Sequence, residues 1–123
     1  MKKRLTKNQI NALSEYLTIL KKKYKDRIVD VVLFGAVARG DYDDESDIDV
    51  LVIVKNGGNE FRDEISMASY SSMLKNDVVL SSLVMDEMVY NWHRKYKDPL
   101  YNVIKKEGIN LWKRPPKFLS VSE

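Results

Sequence analysis

A chain of 123 residues has the length of one domain, and 44% hydrophobic against 32% charged residues marks a globular rather than a disordered sequence. The formal charge of +3 is compatible with anionic ligands but falls short of the concentrated basicity of a dedicated nucleic-acid binder. The absence of cysteine excludes disulfide staples, thiolate zinc sites and a cysteine nucleophile, and fits a cytoplasmic setting.

The N-terminus, Met1-Lys2-Lys3-Arg4-Leu5, leads into no apolar stretch of the kind a signal peptide needs. No run of about 18 apolar residues follows anywhere, so a soluble chain without a membrane partner is expected. Thr6-Lys7-Asn8-Gln9 has the spacing of a capping box, and Ile10, Leu13, Leu17, Leu20 and Tyr24 recur at intervals of three and four. Together they predict an amphipathic first helix with a lysine-rich solvated face. Residues 28–34 are a short β-branched run ending at Gly35, and residues 48–54 are another, ending at the turn signal Asn56-Gly57-Gly58-Asn59. Both read as buried strands.

Phe61, Ile65, Ala68 and Leu74 predict a second long helix, and residues 78–85 a third strand. A helix is expected after Asp86 as its N-cap. Asp98-Pro99 supplies the cap and first-position proline of a last helix that runs through Ile104 and stops at Gly108. Residues 109–112 then read as an edge strand. The fold class is α/β, a small mixed β-sheet flanked by helices. One domain spans 1–112. A C-terminal tail follows over 113–123, where Pro115-Pro116 forbids helix and the final residues have little to bury.

The chemistry concentrates in residues 34–52, a glycine turn followed by Asp47 and Asp49 at the head of an apolar run. Carboxylates at i and i+2 of an extended segment project from one face, so these two acids point together while Ile48 faces away. Two acids aimed at one point suit a divalent metal. Gly35 to Gly40 has the glycine spacing of a P-loop, but Asp41-Tyr42 stands where lysine and a hydroxyl must follow, and a carboxylate there would repel phosphate. Asp41, Asp43 and Glu45 mimic the first ligands of a calcium loop. Ser46 replaces its turn glycine and Val52 its bidentate glutamate, so that reading fails too. What remains is a strand, a glycine turn whose amides can cradle phosphate at a helix start, and a neighbouring strand bearing two carboxylates.

At Gly35, Ala38, Arg39, Gly40, Ser46, Asp47 and Asp49 the chain resembles the minimal, single-domain (MNT-type) members of the polymerase β-like nucleotidyltransferase superfamily, whose pattern is G-S-x-A-R-G, a short acidic loop, then S-D-x-D. The resemblance extends more weakly to the segment 99–109. It implies the polymerase β-like nucleotidyltransferase fold and transfer of a nucleotidyl group, AMP from ATP or another NTP, to a hydroxyl of a partner protein or small molecule. It further implies two Mg²⁺ ions held by Asp47 and Asp49. Gly35, Ala36, Arg39 and Ser46 would contact the nucleotide. Among minimal members, those that resemble this chain often act as antitoxins that adenylylate a HEPN-domain toxin, so a HEPN-domain partner is expected. Larger relatives carry a second domain for the acceptor; here a partner or a second copy, in a homo-oligomer, would complete the cleft. The basic segment 113–119 is the docking candidate.

Two departures from the pattern bear on activity. Ala36 stands where the family has a serine that binds the triphosphate. Catalytic members also add a third carboxylate from a later strand, and the alignment places it at Val79. Asp77 is the substitute candidate, on the same face but two residues, about 6.6–6.8 Å, away along a strand. The alternative function is therefore a catalytically weak or inactive binding module of the same fold, acting by contact with a partner or by binding nucleotide.

Simpler roles account for the remaining polar and aromatic residues. Arg39 is expected to pair with Asp41, Asp43 or Asp47 and fix the loop. His93 is expected on an exposed helix position, without partners at ligand spacing. Tyr90, Trp92, Tyr96, Tyr101 and Trp112 stand among lysines but read as helical and edge-strand core packing, and nucleic acid is not expected as a partner.

Overall fold

The Thr6 capping box opens the first helix. In a computed structural model of the chain, describing residues 5–40 and 47–119, the Thr6 hydroxyl accepts from the Gln9 amide at 3.1 Å and the Gln9 side chain accepts from the Thr6 amide at 2.9 Å. Helix α1 (Lys7–Tyr24) follows and buries Leu13, Tyr16, Leu17 and Leu20. A single 3₁₀ turn at Lys25–Arg27 delivers the chain into β1 (Ile28–Phe34), and the short helix α2 (Gly35–Arg39) follows directly. Strand β2 (Ile48–Val54) has the bounds the sequence predicts, as does β1.

The second long helix divides. Helix α3 (Gly58–Met67) and helix α4 (Tyr70–Asn76) meet where the Ser69 hydroxyl donates to the Ser66 carbonyl at 2.8 Å, a side-chain bond that competes with the helical ladder. The redirected α4 turns Met73 onto the core and leaves Leu74 86% exposed, so Leu74 is not the core residue that the predicted periodicity makes it. Strand β3 (Leu80–Asp86) starts two residues later than predicted, because Asp77 adopts a left-handed conformation (φ 53°) that ends α4.

Asp86 occupies the N-cap position of α5 (Glu87–Tyr96), but its carboxylate accepts from the Gly57 amide at 2.6 Å and from Arg62 at 2.7 Å instead. Asp98 caps α6 (Pro99–Glu107) as predicted, accepting from the Tyr101 amide at 3.0 Å. The edge strand shortens to β4 (Ile109–Asn110).

The sheet order is β3-β2-β1-β4, with β1 antiparallel to both β2 and β4 and with β2 parallel to β3. On one face Ile48, Val50, Val52 and Val54 pack with α1, Ile65 and Leu80. On the other, Leu51, Ile53, Val32 and Met85 pack with Ile104 of α6 and half-buried Tyr90 of α5. Period-2 alternation along β2 therefore assigns Asp49 to the α5/α6 face. The segment after Lys113 has more to bury than its composition indicates. Its Leu119 amide returns to the Pro116 carbonyl at 3.1 Å, and the Leu119 side chain joins the α1-side core at 8% exposure.

Candidate functional site

Strand β1 ends in fully extended Phe34, and Gly35 reverses the chain into α2 with φ +78°, a conformation that favours a residue without a β-carbon. Phe34 is the register partner of Asp49 across the antiparallel β1–β2 pair, which brings the Asp49 carboxylate over Gly35. A β-carbon at Gly35 would overlap Asp49 Oδ2 and stand 3.2 Å from its Cγ. The glycine thus serves both the turn and the seat of the acid. Gly40, at φ 83°, closes the other end of α2 by donating its amide to the carbonyls of Ala36 and Val37.

Partial burial pushes the Asp49 carboxyl above the ordinary carboxylate range, the negative charge of Asp47 pushes it further, and Arg39 opposes both. Desolvation and like-charge repulsion disfavour the ionised form until a cation offsets them. Arg39 itself meets Glu107 of α6 at 3.1 Å, an ion pair across 68 positions of sequence that local reading does not anticipate. Asp41, Asp43 and Ser46 lie outside the described residues. Ala36, half-buried, packs its methyl against the α1-side core.

The parallel β2–β3 register sets which residues stand beside the two acids. Asp49 lies opposite Ser81, and the Ile48 amide donates to the Val79 carbonyl at 2.9 Å, so Val79 is the residue level with Asp47. Asp77 is exposed and caps α4, with its amide bonded to the Met73 carbonyl. It precedes the strand rather than sharing a strand face with Val79.

Among the described residues no three histidine, aspartate or glutamate side chains cluster as a metal cage. The donor set nevertheless fits Mg²⁺, which takes hard oxygen ligands and characteristically binds one or two carboxylates while phosphates and water complete its shell. Two open grooves lie elsewhere, one of 560 Å³ between α1 and α4 and one of 490 Å³ beside Asp86 and Met88; neither is lined by Asp47 or Asp49. The carboxylate pair stands at the N-terminal end of β2, an interior strand of the sheet.

His93 departs from expectation: it is half-buried and its Nδ1 contacts the Asp98 carboxylate, pinning α5 to the start of α6. Trp92 and Tyr96 also depart, at 55% and 59% exposure, whereas Tyr90, Tyr101 and Trp112 are half-buried.

A family model described as "Nucleotidyltransferase domain" matches residues 13–111. A Methanocaldococcus jannaschii protein named "Putative protein adenylyltransferase" is 39% identical over 105 residues, covering 85% of this chain and 99% of the relative. Two solved structures show the same fold. A "putative nucleotidyltransferase" from Sulfolobus solfataricus superposes with a TM-score of 0.55 at 24% identity, over 85% of this chain and 80% of its own. A structure described as "the toxin-antitoxin with AMP-PNP" does so at 0.51 and 22%, over 82% and 73%.

Proposed function

The chain belongs to the nucleotidyltransferase domain family, as a minimal member of the polymerase β-like superfamily, and from that premise we propose that it transfers AMP from ATP to a hydroxyl of a partner protein. The observation that carries the proposal is the Asp49 carboxylate seated over Gly35 with Asp47 beside it. In this reading the α2 turn receives the triphosphate: Gly35 lets the backbone approach, and the amides that open α2 donate to phosphate oxygens. Asp47 and Asp49 would hold two Mg²⁺ ions, which when bound neutralise charge on the phosphates and on the attacking and leaving oxygens. Arg39, fixed by Glu107, orders the end of α2 and keeps a positive charge near Asp49.

Val79 and Ser81 lie level with Asp47 and Asp49 on the neighbouring segment, which supports a site without a third carboxylate. Asp77, off the strand, is assigned no step. Activation of the acceptor hydroxyl then falls to the partner or to solvent, and a slow enzyme is the expectation. The same observation favours a second reading, a binding module that neutralises its partner by contact. The toxin–antitoxin neighbour motivates a toxin as that partner under either reading, and the resemblance of the 35–49 motif to minimal members suggests one with a HEPN domain.

The discriminating experiment is transfer from α-labelled ATP to a co-expressed HEPN-domain partner, with and without Mg²⁺. Label on the partner only when Mg²⁺ is present supports the enzyme. An intact complex without label in either condition overturns it in favour of the binding module.

A further inference from the structure

Helix α5 buries none of its residues fully, meeting the sheet through half-buried Tyr90 and the start of α6 through His93. Its outer surface carries Met88, Trp92 and Tyr96 at four-residue spacing, exposed by 82%, 55% and 59%, with Val89 beside them. Residues four apart on a helix share one stripe. Along the stripe the Trp92 and Tyr96 rings lie 5.0 Å apart, and Lys95 Nζ sits 5.5 Å from the Tyr96 ring centre. A parallel row one position behind reads Glu87, Asn91, Lys95, all exposed.

Both rows are self-complementary only when reversed. In the apolar row Trp92 is central between two large side chains. In the polar row an amide is central between an acid at the N-terminal end and a base at the C-terminal end. Two copies of α5 crossing antiparallel about these central residues would set Trp92 against Trp92, Met88 against Tyr96, Asn91 against Asn91 and Glu87 against Lys95 in both directions. A parallel pair would set like charges together instead. An antiparallel pair also opposes the two helix dipoles, placing the positive end of each beside the negative end of the other.

We propose that the occupant of this face is a second copy of the chain, docked through α5 in a twofold antiparallel helix pair. A central aromatic anchor, flanking apolar contacts and a charged rim that fixes orientation are the anatomy of such an interface. The proposal stands independently of whether the site on β2 turns over.

The test is sedimentation equilibrium of the full chain between about 1 μM and about 1 mM. The expected result is association to twice the 14.3 kDa chain mass. Trp92→Glu is expected to be monomeric with an unchanged circular dichroism spectrum, and with the wild-type melting temperature at concentrations where the wild type is itself monomeric, because the side chain is exposed within one chain. Glu87→Lys and Lys95→Glu are each expected to weaken the dimer about tenfold, two rim pairs being reversed in each symmetric dimer. An equimolar mixture of these two variants should recover the affinity, since every rim contact in the mixed dimer is again between opposite charges. A wild-type chain that stays monomeric at the highest concentration overturns the proposal. So does a dimer that survives Trp92→Glu, or a mixture that fails to recover.

Discussion

Gly35 lies directly beneath Asp49, so that the residue that turns the chain into α2 also leaves the space the carboxylate fills. The α2 turn and the Asp49 carboxylate are therefore a single steric unit. Gly35→Ala meets two penalties, the left-handed backbone at about 1–2 kcal/mol and the overlap with Oδ2. Urea unfolding should show destabilisation of at least that size, accompanied by loss of nucleotidyl transfer. Retained transfer in a folded Gly35→Ala protein would refute the shared seat.

Asp47→Asn and Asp49→Asn each remove one hard oxygen donor and its charge. With several kcal/mol of transition-state stabilisation lost, transfer should fall about 10³-fold in either variant. Thermal denaturation with and without Mg²⁺ plus ATP gives a second readout. The wild type should gain stability with ligand, and Asp49→Asn should not.

At Ala36 a gain is expected. Its methyl is only half-buried, so Ala36→Ser fits the same space and restores a hydroxyl donor at the start of α2. One hydrogen bond to a charged group is worth about 1.5–3 kcal/mol, or roughly ten- to hundredfold in ATP affinity by titration calorimetry.

Val79 and Asp77 make opposite predictions. Val79→Asp puts a carboxylate level with Asp47 and should raise transfer by about 10²-fold, the lower bound for gaining a general base. Asp77→Asn should leave the rate unchanged, because asparagine also accepts the left-handed cap and the native carboxylate lies off the strand. A large loss in Asp77→Asn would restore it as the third acid.

Tyr16 supplies the pH dependence of stability. Buried completely, its hydroxyl donates to Ile65 O at 2.9 Å, satisfying one of the last four carbonyls of α3. Desolvation raises its pKa from the ordinary 10.0 to about 12. The folded value exceeds the unfolded one, so its stabilising contribution is complete below pH 10 and is lost as pH rises through about 12. Tyr16→Phe should cost about 0.5–1.5 kcal/mol at neutral pH, measured by urea unfolding. The difference from wild type should shrink at alkaline pH.

Much of this architecture is legible in the chain because its signals are local. The Thr6–Gln9 box, the β-branched runs of β1 and β2 and the Asp98-Pro99 start each specify their element through near neighbours. The seat of Asp49 over Gly35 is not among them, because it comes from the antiparallel β1–β2 register that pairs Phe34 with Asp49. What sequence leaves open depends on contacts between distant segments. Leu74 fits the helical period, yet a side-chain bond from Ser69 redirects α4 and exposes it. Arg39 meets Glu107, 68 positions away, because α2 and α6 pack together. Leu119 follows two prolines and still finds the core. Which residue stands level with Asp47 depends on the β2–β3 register, a pairing between distant segments, and a shift of two residues separates Asp77 from Val79.

Strand β2 is bonded on both sides, to β1 and to β3, and every residue of it except Asp49 is buried. Hydrogen exchange should therefore find its amides among the slowest in the molecule, opening only with global unfolding. A carboxylate rooted in such a segment is held by the part of the protein that melts last. Whatever binds there encounters a geometry as durable as the fold itself, and adaptation to a partner is left to the surfaces around it.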